Sequence, residues 1–373
     1  MNRPVVRRQY LATTGLLAVT VMFATAGRTV ASDDDDDDLD YPGLSQSSSD
    51  LYFVGQVGKK LRIQMALSVL GRNGEDAEGS LRIHGWYFYD SIGTPLKLRG
   101  VLKEEELTLT ERAGERVTGR FTGRFNPVAA RHELKWSSPD GSRTLDASLT
   151  LVAESNRLQE DRGSTISAAA EWPRFRGDEP LTKSVERVLK KEARQFIMYA
   201  VRPANGEDLE SDGGFSIPQT FEMRNTVLFF SPALISLQTY DYSYTGGAHG
   251  LYGFGGRCFV LRNGRAHELS LSDLFRRDSG FVHRLSDLCI ADLRRQEASN
   301  APDGKGERLR LDDLANFQVT RAGLTFVFNP YTMGCYAEGV YRVDVPWKRI
   351  SDLLADVPEL RRLARLRIKP SGK

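Results

Sequence analysis

The sequence predicts a two-part α+β architecture: an N-terminal all-β antiparallel meander or partial barrel, followed by an α+β domain with helices on one side of an antiparallel sheet. Three observations lead there. Residues 51–153 read as short alternating segments joined by glycine-rich or charged turns, with no long helical stripe. Residues 185–200 carry apolar side chains three and four apart. After them, hairpin-like strands flank a group of helices, the pattern of helices laid on an antiparallel sheet.

The chain has 373 residues, a formal charge of +2 and 40% hydrophobic residues, enough for about two domains with ordinary cores. It opens with Arg3, Arg7 and Arg8, then an apolar run from Leu11 to Ala26 and small residues up to Ala31, the order of a cleavable export signal over residues 1–31. That run is too short and too interrupted for an integral membrane anchor. Arg7-Arg8-Gln9-Tyr10-Leu11 resembles a twin-arginine signal, and a plain secretory signal stays open beside it. Cleavage removes four arginines and no acid, taking the charge from +2 to −2, so the balance implies no nucleic acid. The expected location is periplasmic or secreted.

Residues 32–50 hold the run from Asp33 to Asp38 and a serine cluster; like charges repel and bury nothing, so this is an acidic, disordered leader. The all-β domain spans 51–153, with strands expected at 53–57, 61–69, 86–89, 96–101, 107–110, 119–125, 134–136 and 145–151. Within Trp86-Tyr87-Phe88-Tyr89, alternation puts Tyr87 and Tyr89 on one face and Trp86 and Phe88 on the other, and packing on both faces is preferred to a sugar-stacking surface. Residues 154–180 lack periodicity and read as a linker between independently folding domains.

The second domain, 181–358, opens with a helix whose buried face carries Val185, Val188, Leu189, Ala193, Phe196, Ile197 and Ala200. Strands are expected at 220–230, 234–244, 257–261, 318–320, 324–328 and 341–345, and helices at 271–275, 281–296 and 350–354. A basic tail covers 359–373. Three cysteines in an oxidising compartment allow at most one internal disulfide. Three pairings are possible; Cys289, on the apolar stripe of a helix, with Cys335, in a loop that a bridge could tie down, is the preferred candidate, and Cys258 reads as a strand residue beside Val260. No cysteine or histidine spacing suits zinc, and no cofactor is expected.

In the strand ending at Tyr244, Gln238, Tyr240, Tyr242 and Tyr244 share one face, and Ile235, Leu237 and Thr239 the other. With the aliphatic face under helices, the tyrosines stand in a row able to contact sugar rings or a protein partner. Thr245-Gly246-Gly247-Ala248-His249-Gly250 is a conformationally permissive turn that lacks the spacing of a phosphate-cradling loop. His249 has general-base chemistry, but no nucleophile or carboxylate is fixed beside it in sequence, so a structural hydrogen-bonding role is preferred. Gly214-Phe215-Ser216-Ile217-Pro218 begins like a nucleophile elbow and ends in proline where glycine is needed.

The stretch from Tyr240 to Gly250, read with Phe328-Asn329-Pro330-Tyr331 and Tyr336-Ala337-Glu338-Gly339, resembles two signatures of one family. The first is similar to a Tyr-Thr-Gly-Gly-Ala-His-Gly signature and the second to Pro-Tyr-x-x-Gly-x-Tyr-Ala-x-Gly. Both occur in the extracytoplasmic domain of RsiV-type anti-sigma factors and beside some peptidoglycan deacetylases. The resemblance covers residues 181–354 and implies an envelope-facing α/β module that, in the anti-sigma factors, senses lysozyme. It adds Tyr331 and Tyr336 to the candidate site. The expectation is a soluble periplasmic module that recognises a lysozyme-like protein or a peptidoglycan fragment without catalysis. Its binding residues would be Tyr240, Tyr242, Tyr244, Thr245, Gly246, Gly247, His249, Tyr331 and Tyr336. An envelope scaffold or accessory protein is the first alternative, and a cell-wall hydrolase using His249 the second.

Overall fold

The computed structural model describes residues 48–70, 80–163, 165–202, 217–304 and 306–365. The expected export signal, the acidic leader up to residue 47, the elbow-like residues 214–216 and the tail from residue 366 lie outside them.

Eight strands form first: β1 (Ser48–Val57), β2 (Leu61–Leu70), β3 (Leu81–Tyr89), β4 (Leu96–Lys103), β5 (Glu106–Ala113), β6 (Arg116–Arg124), β7 (Arg131–Ser137) and β8 (Thr144–Arg162). Each pairs antiparallel with the next, and β1 pairs with β8, so the meander closes into a barrel and leaves no free edge. Alternation fills the interior with Phe53, Met65, Leu67, Tyr87, Leu109, Phe121 and their neighbours, all buried. One acid enters this core. Glu111, 3% exposed, accepts hydrogen bonds from the Tyr87 hydroxyl at 2.6 Å and Trp136 Nε1 at 2.7 Å, which satisfy a carboxylate that would otherwise be costly to bury.

The sheet does not stop at the barrel. Strand β8 runs on beyond it and pairs with β9 (Ile166–Phe175), which pairs parallel with β10 (Gln219–Ser231). Next come β11 (Leu234–Tyr244), β12 (Leu251–Arg262) and the short β13 (Arg265–Glu268), all antiparallel. The segment expected as a linker is therefore regular, paired strand. Helix α1 (Pro180–Ala200) covers one face of this extension with Leu181, Val185, Leu189, Ala193 and Ile197, packing on Ala168, Ala170, Trp172, Ile235, Leu237 and Phe259.

The opposite face is covered too. A second sheet of β14 (Phe317–Val319), β15 (Gly323–Phe328) and β16 (Tyr341–Pro346) packs there with α2 (Leu271–Leu274), α3 (Phe281–Arg295), α4 (Trp347–Ile350) and α5 (Pro358–Arg365). Helices on one side of the sheet were expected. The molecule is instead mostly β, with layers on both faces, because Leu234, Cys258 and Val260 point into one core while Ile235, Leu237 and Phe259 point into the other. Part of the expected basic tail is helix α5, whose Leu360 and Leu363 are buried.

The barrel and the extension also share side chains. Trp86 and Phe88 stack at 5.8 Å, and Phe88 belongs to the core around α3. Tyr52 donates to Gln64 at 2.7 Å, and the Gln64 amide bonds both the N–H and the carbonyl of Phe230. Arg321, 3% exposed, donates to the carbonyls of Asp90 and Leu363. The two parts thus meet through buried apolar and polar groups.

Candidate functional site

Register builds the site. Tyr240, Tyr242 and Tyr244 lie on the face of β11 away from α1, and their partners on β10 are Arg224, Glu222 and Thr220. On β12 the partners of Tyr240 and Tyr242 are Phe254 and Tyr252. Three rows therefore cross the sheet. One runs Arg157, Glu171, Arg224, Tyr240, Phe254; the next, Gln159, Ala169, Glu222, Tyr242, Tyr252; the last, Asp161, Ser167, Thr220, Tyr244.

The two distant motifs converge at the end of these rows. The His249 ring stacks on Tyr336 with centroids 3.7 Å apart and planes at 16°. Tyr336 also meets Tyr252 and Tyr331, each at 5.7 Å, and donates its hydroxyl to the Gly250 carbonyl at 2.8 Å. His249 Nδ1 lies 3.0 Å from that same carbonyl. Tyr240 tilts against Phe254 at 5.2 Å. Gly250 is buried beneath the Tyr242 ring, leaving no room for a side chain.

The second motif is held from below. Asn329 accepts from the Phe254 N–H and donates to the Phe254 carbonyl, both at 2.9 Å, so one amide stands in for a neighbouring strand. Glu338 accepts from the Tyr341 hydroxyl, the Cys335 N–H and both the hydroxyl and the N–H of Ser299. These donors, Tyr341 first, hold its carboxyl down at about 2. Tyr331 itself sits at φ +72°, an unusual backbone for a tyrosine, and is 58% exposed.

Burial raises the Tyr240 hydroxyl to about 12, with help from the Glu222 charge and opposition from Arg224. Burial likewise raises Tyr252 and Tyr336. All three hydroxyls are therefore protonated at neutral pH and can donate. Among the described residues, Tyr240, Tyr242 and Tyr252 hydroxyls and the Glu222 carboxylate make no hydrogen bond. On the opposite face, burial pushes the Asp241 carboxyl up to about 6 against the pull of Arg257, which itself pairs with Glu192 and Glu268.

Of the expected residues, Tyr240, Tyr242, His249, Tyr331 and Tyr336 come together around Tyr252 and Phe254. Tyr244 spends its hydroxyl on the Gly247 carbonyl at 3.2 Å, closing the turn in which Thr245 is exposed and Gly246 and Gly247 take φ of +102° and +99°. The Cys289–Cys335 bridge does not form. Cys289 is a buried free thiol on α3, and Cys335 is free and exposed. Sequence reasoning missed Glu222, Arg224, Tyr252, Phe254, Asn329 as a clamp, and Glu338. The alternation Tyr252-x-Phe254 was the available signal, hidden by glycines at 253, 255 and 256. Among the described residues no group of three His, Cys, Asp or Glu side chains converges to hold a metal.

Residues 160–252 match the family model described as Deacetylase PdaC, and residues 272–348 match the one described as Protein of unknown function (DUF3298). The chain is 20% identical over 204 residues to the peptidoglycan-N-acetylmuramic acid deacetylase PdaC of Bacillus subtilis (strain 168). That overlap covers 52% of this chain and spans only 40% of the deacetylase. A crystal structure of a DUF3298 family member from Bacteroides fragilis aligns with a TM-score of 0.39 at 18% identity, covering 57% of this chain and 97% of its own. One from Pseudomonas aeruginosa gives 0.39 at 16% identity, covering 54% and 94%. The PdaC match begins inside β8, ahead of residue 181, so β9 belongs to the matched region. The part of the chain that builds most of the site is thus similar to DUF3298 and PdaC-type domains and to part of the Bacillus deacetylase.

Proposed function

We propose that this chain is a non-catalytic binding module of the bacterial envelope, periplasmic or secreted, that holds peptidoglycan on its tyrosine face. The observation that carries the reading is the convergence of the two motifs into one aromatic cluster, His249 on Tyr336 beside Tyr252, Tyr242 and Tyr331. Partly exposed rings with free hydroxyls suit a sugar chain: ring faces take its C–H surface, and the hydroxyls take its polar edge. The relative's own substrate, peptidoglycan, and the export-like N-terminus support the same compartment and ligand. No described nucleophile or carboxylate hydrogen-bonds His249, whose ring is occupied by Tyr336, which favours binding over chemistry.

A second reading, a lysozyme-type protein as partner, draws on the apolar side chains left exposed near the cluster, Tyr331 at 58% and Leu251 at 55%. Large exposed rings of this kind anchor protein interfaces. A thermal-shift comparison of solubilised peptidoglycan, lysozyme and an unrelated basic protein separates the two. Stabilisation by peptidoglycan alone is expected. Stabilisation by lysozyme alone would transfer the site to the second reading, and no shift with either would remove both.

A further inference from the structure

The charges on the tyrosine face restrict what can lie there. Arg157 and Arg224 both pair with Glu171, which is 4% exposed. Arg342 lies 4.7 Å over the Phe254 ring and reaches Gln318 at 3.5 Å. The three guanidinium groups of this face are thus committed. Glu222 is not: it stands opposite Tyr242 on β10, two positions along the strand from Arg224, and no described residue donates to it. A carboxylate-bearing ligand would meet this uncompensated negative charge and no uncommitted cation, so its desolvation would go unrepaid. A neutral pyranose chain meets the opposite situation. Its hydroxyl and acetamido N–H groups donate to Glu222, and its apolar ring faces lie on Tyr242, Tyr252 and Tyr336.

We propose that the site reads the uncharged N-acetylhexosamine backbone of the glycan rather than its peptide stems or carboxylates, with Glu222 as the specificity-determining acceptor. This rests on the peptidoglycan reading above. Recognition without ion pairing has a consequence: affinity depends little on salt, because no charged contact is there to be screened.

Calorimetric titration of the full chain tests it with a β-1,4-linked N-acetylglucosamine tetramer, a sugar-free stem tetrapeptide and insoluble peptidoglycan as separate probes. Salt is set at about 0.05 M and about 0.5 M, one of weak and one of strong screening. The tetramer is expected to bind with a Kd that changes less than about twofold between the two salts, and the stem peptide is expected not to bind. Glu222→Gln, nearly isosteric, is expected to weaken tetramer binding about tenfold with an unchanged melting midpoint, since a charged acceptor is replaced by a neutral one. Peptidoglycan binding without tetramer binding would overturn the inference and leave the peptidoglycan reading standing. So would stem-peptide binding, a steep salt dependence, or an unaltered Glu222→Gln affinity. If neither peptidoglycan nor tetramer binds, both fall.

Discussion

A Cβ placed on Gly250 would lie 2.5 Å from the Tyr242 ring, so Gly250→Ala must push that ring off its seat. Binding through Tyr242 should then weaken without any change to the tyrosine itself. Tyr242→Ala removes the ring outright, and a loss of about 1–3 kcal/mol in affinity is expected for an interface anchor whose removal leaves the fold intact. Titration with the same ligand checks both; an unchanged Tyr242→Ala affinity in a folded protein would place the ring outside the interface. Asp241, next to Tyr240 on β11 but facing the α1 side, reports instead through pH. Its folded pKa of about 6 lies above the ordinary 3.8, so the folded state favours the protonated acid. The sign follows: this group's contribution is fully present below about 4 and is lost as pH rises through about 6. Asp241→Asn should therefore increase the free energy of unfolding above pH 6, by an amount on the order of 1–3 kcal/mol, with the gain vanishing near pH 4. A gain independent of pH would mean that the carboxyl is not the cause.

At the scale of the element, β8 decides how the molecule holds together. Residues 147–154 of it pair with β1 inside the barrel, and residues 153–162 pair with β9 outside it. Limited proteolysis should therefore spare residues 154–162 and 166–175, and unfolding of the two parts should be coupled. Early cutting in β9 that releases an intact barrel would contradict this. The same strand shows what could not be read from the sequence. Its outer half is polar because Arg157 pairs with Glu171 on the face toward the tyrosines, and Glu154 pairs with Arg174 and Arg176 on the other face, so strand periodicity is hidden in ion pairs rather than in hydrophobic alternation. The eight barrel strands were legible because their alternation fills a single closed core. Strand β11 was legible end to end, since every second residue from Gln238 to Tyr244 falls on one face and Ile235, Leu237 and Thr239 on the other, and it named half the site. Strand β12 began six residues earlier than expected, at Leu251 rather than 257, because three glycines erase its alternation where Tyr252 and Phe254 matter most. The three-residue turn at Tyr336–Glu338 depends on the Glu338 cradle, and Glu338→Ala should loosen the Tyr336–His249 stack. Changed tyrosine fluorescence with an unchanged far-ultraviolet spectrum would show it.

For the molecule as a whole, a closed barrel supplies a rigid flank and one long shared strand carries the sheet out to a face of aromatic rings. Two loops distant in sequence meet on that face. The central claim is that this face holds peptidoglycan and leaves it intact. Co-sedimentation of the full chain with purified peptidoglycan sacculi, with released acetate and new reducing ends measured in the same tubes, tests it most directly. The wild-type protein should pellet with the sacculi, Tyr242→Ala should stay largely in the supernatant, and neither product should form. A wild-type protein that remains in the supernatant, or a product whose release His249→Ala abolishes, would contradict the claim.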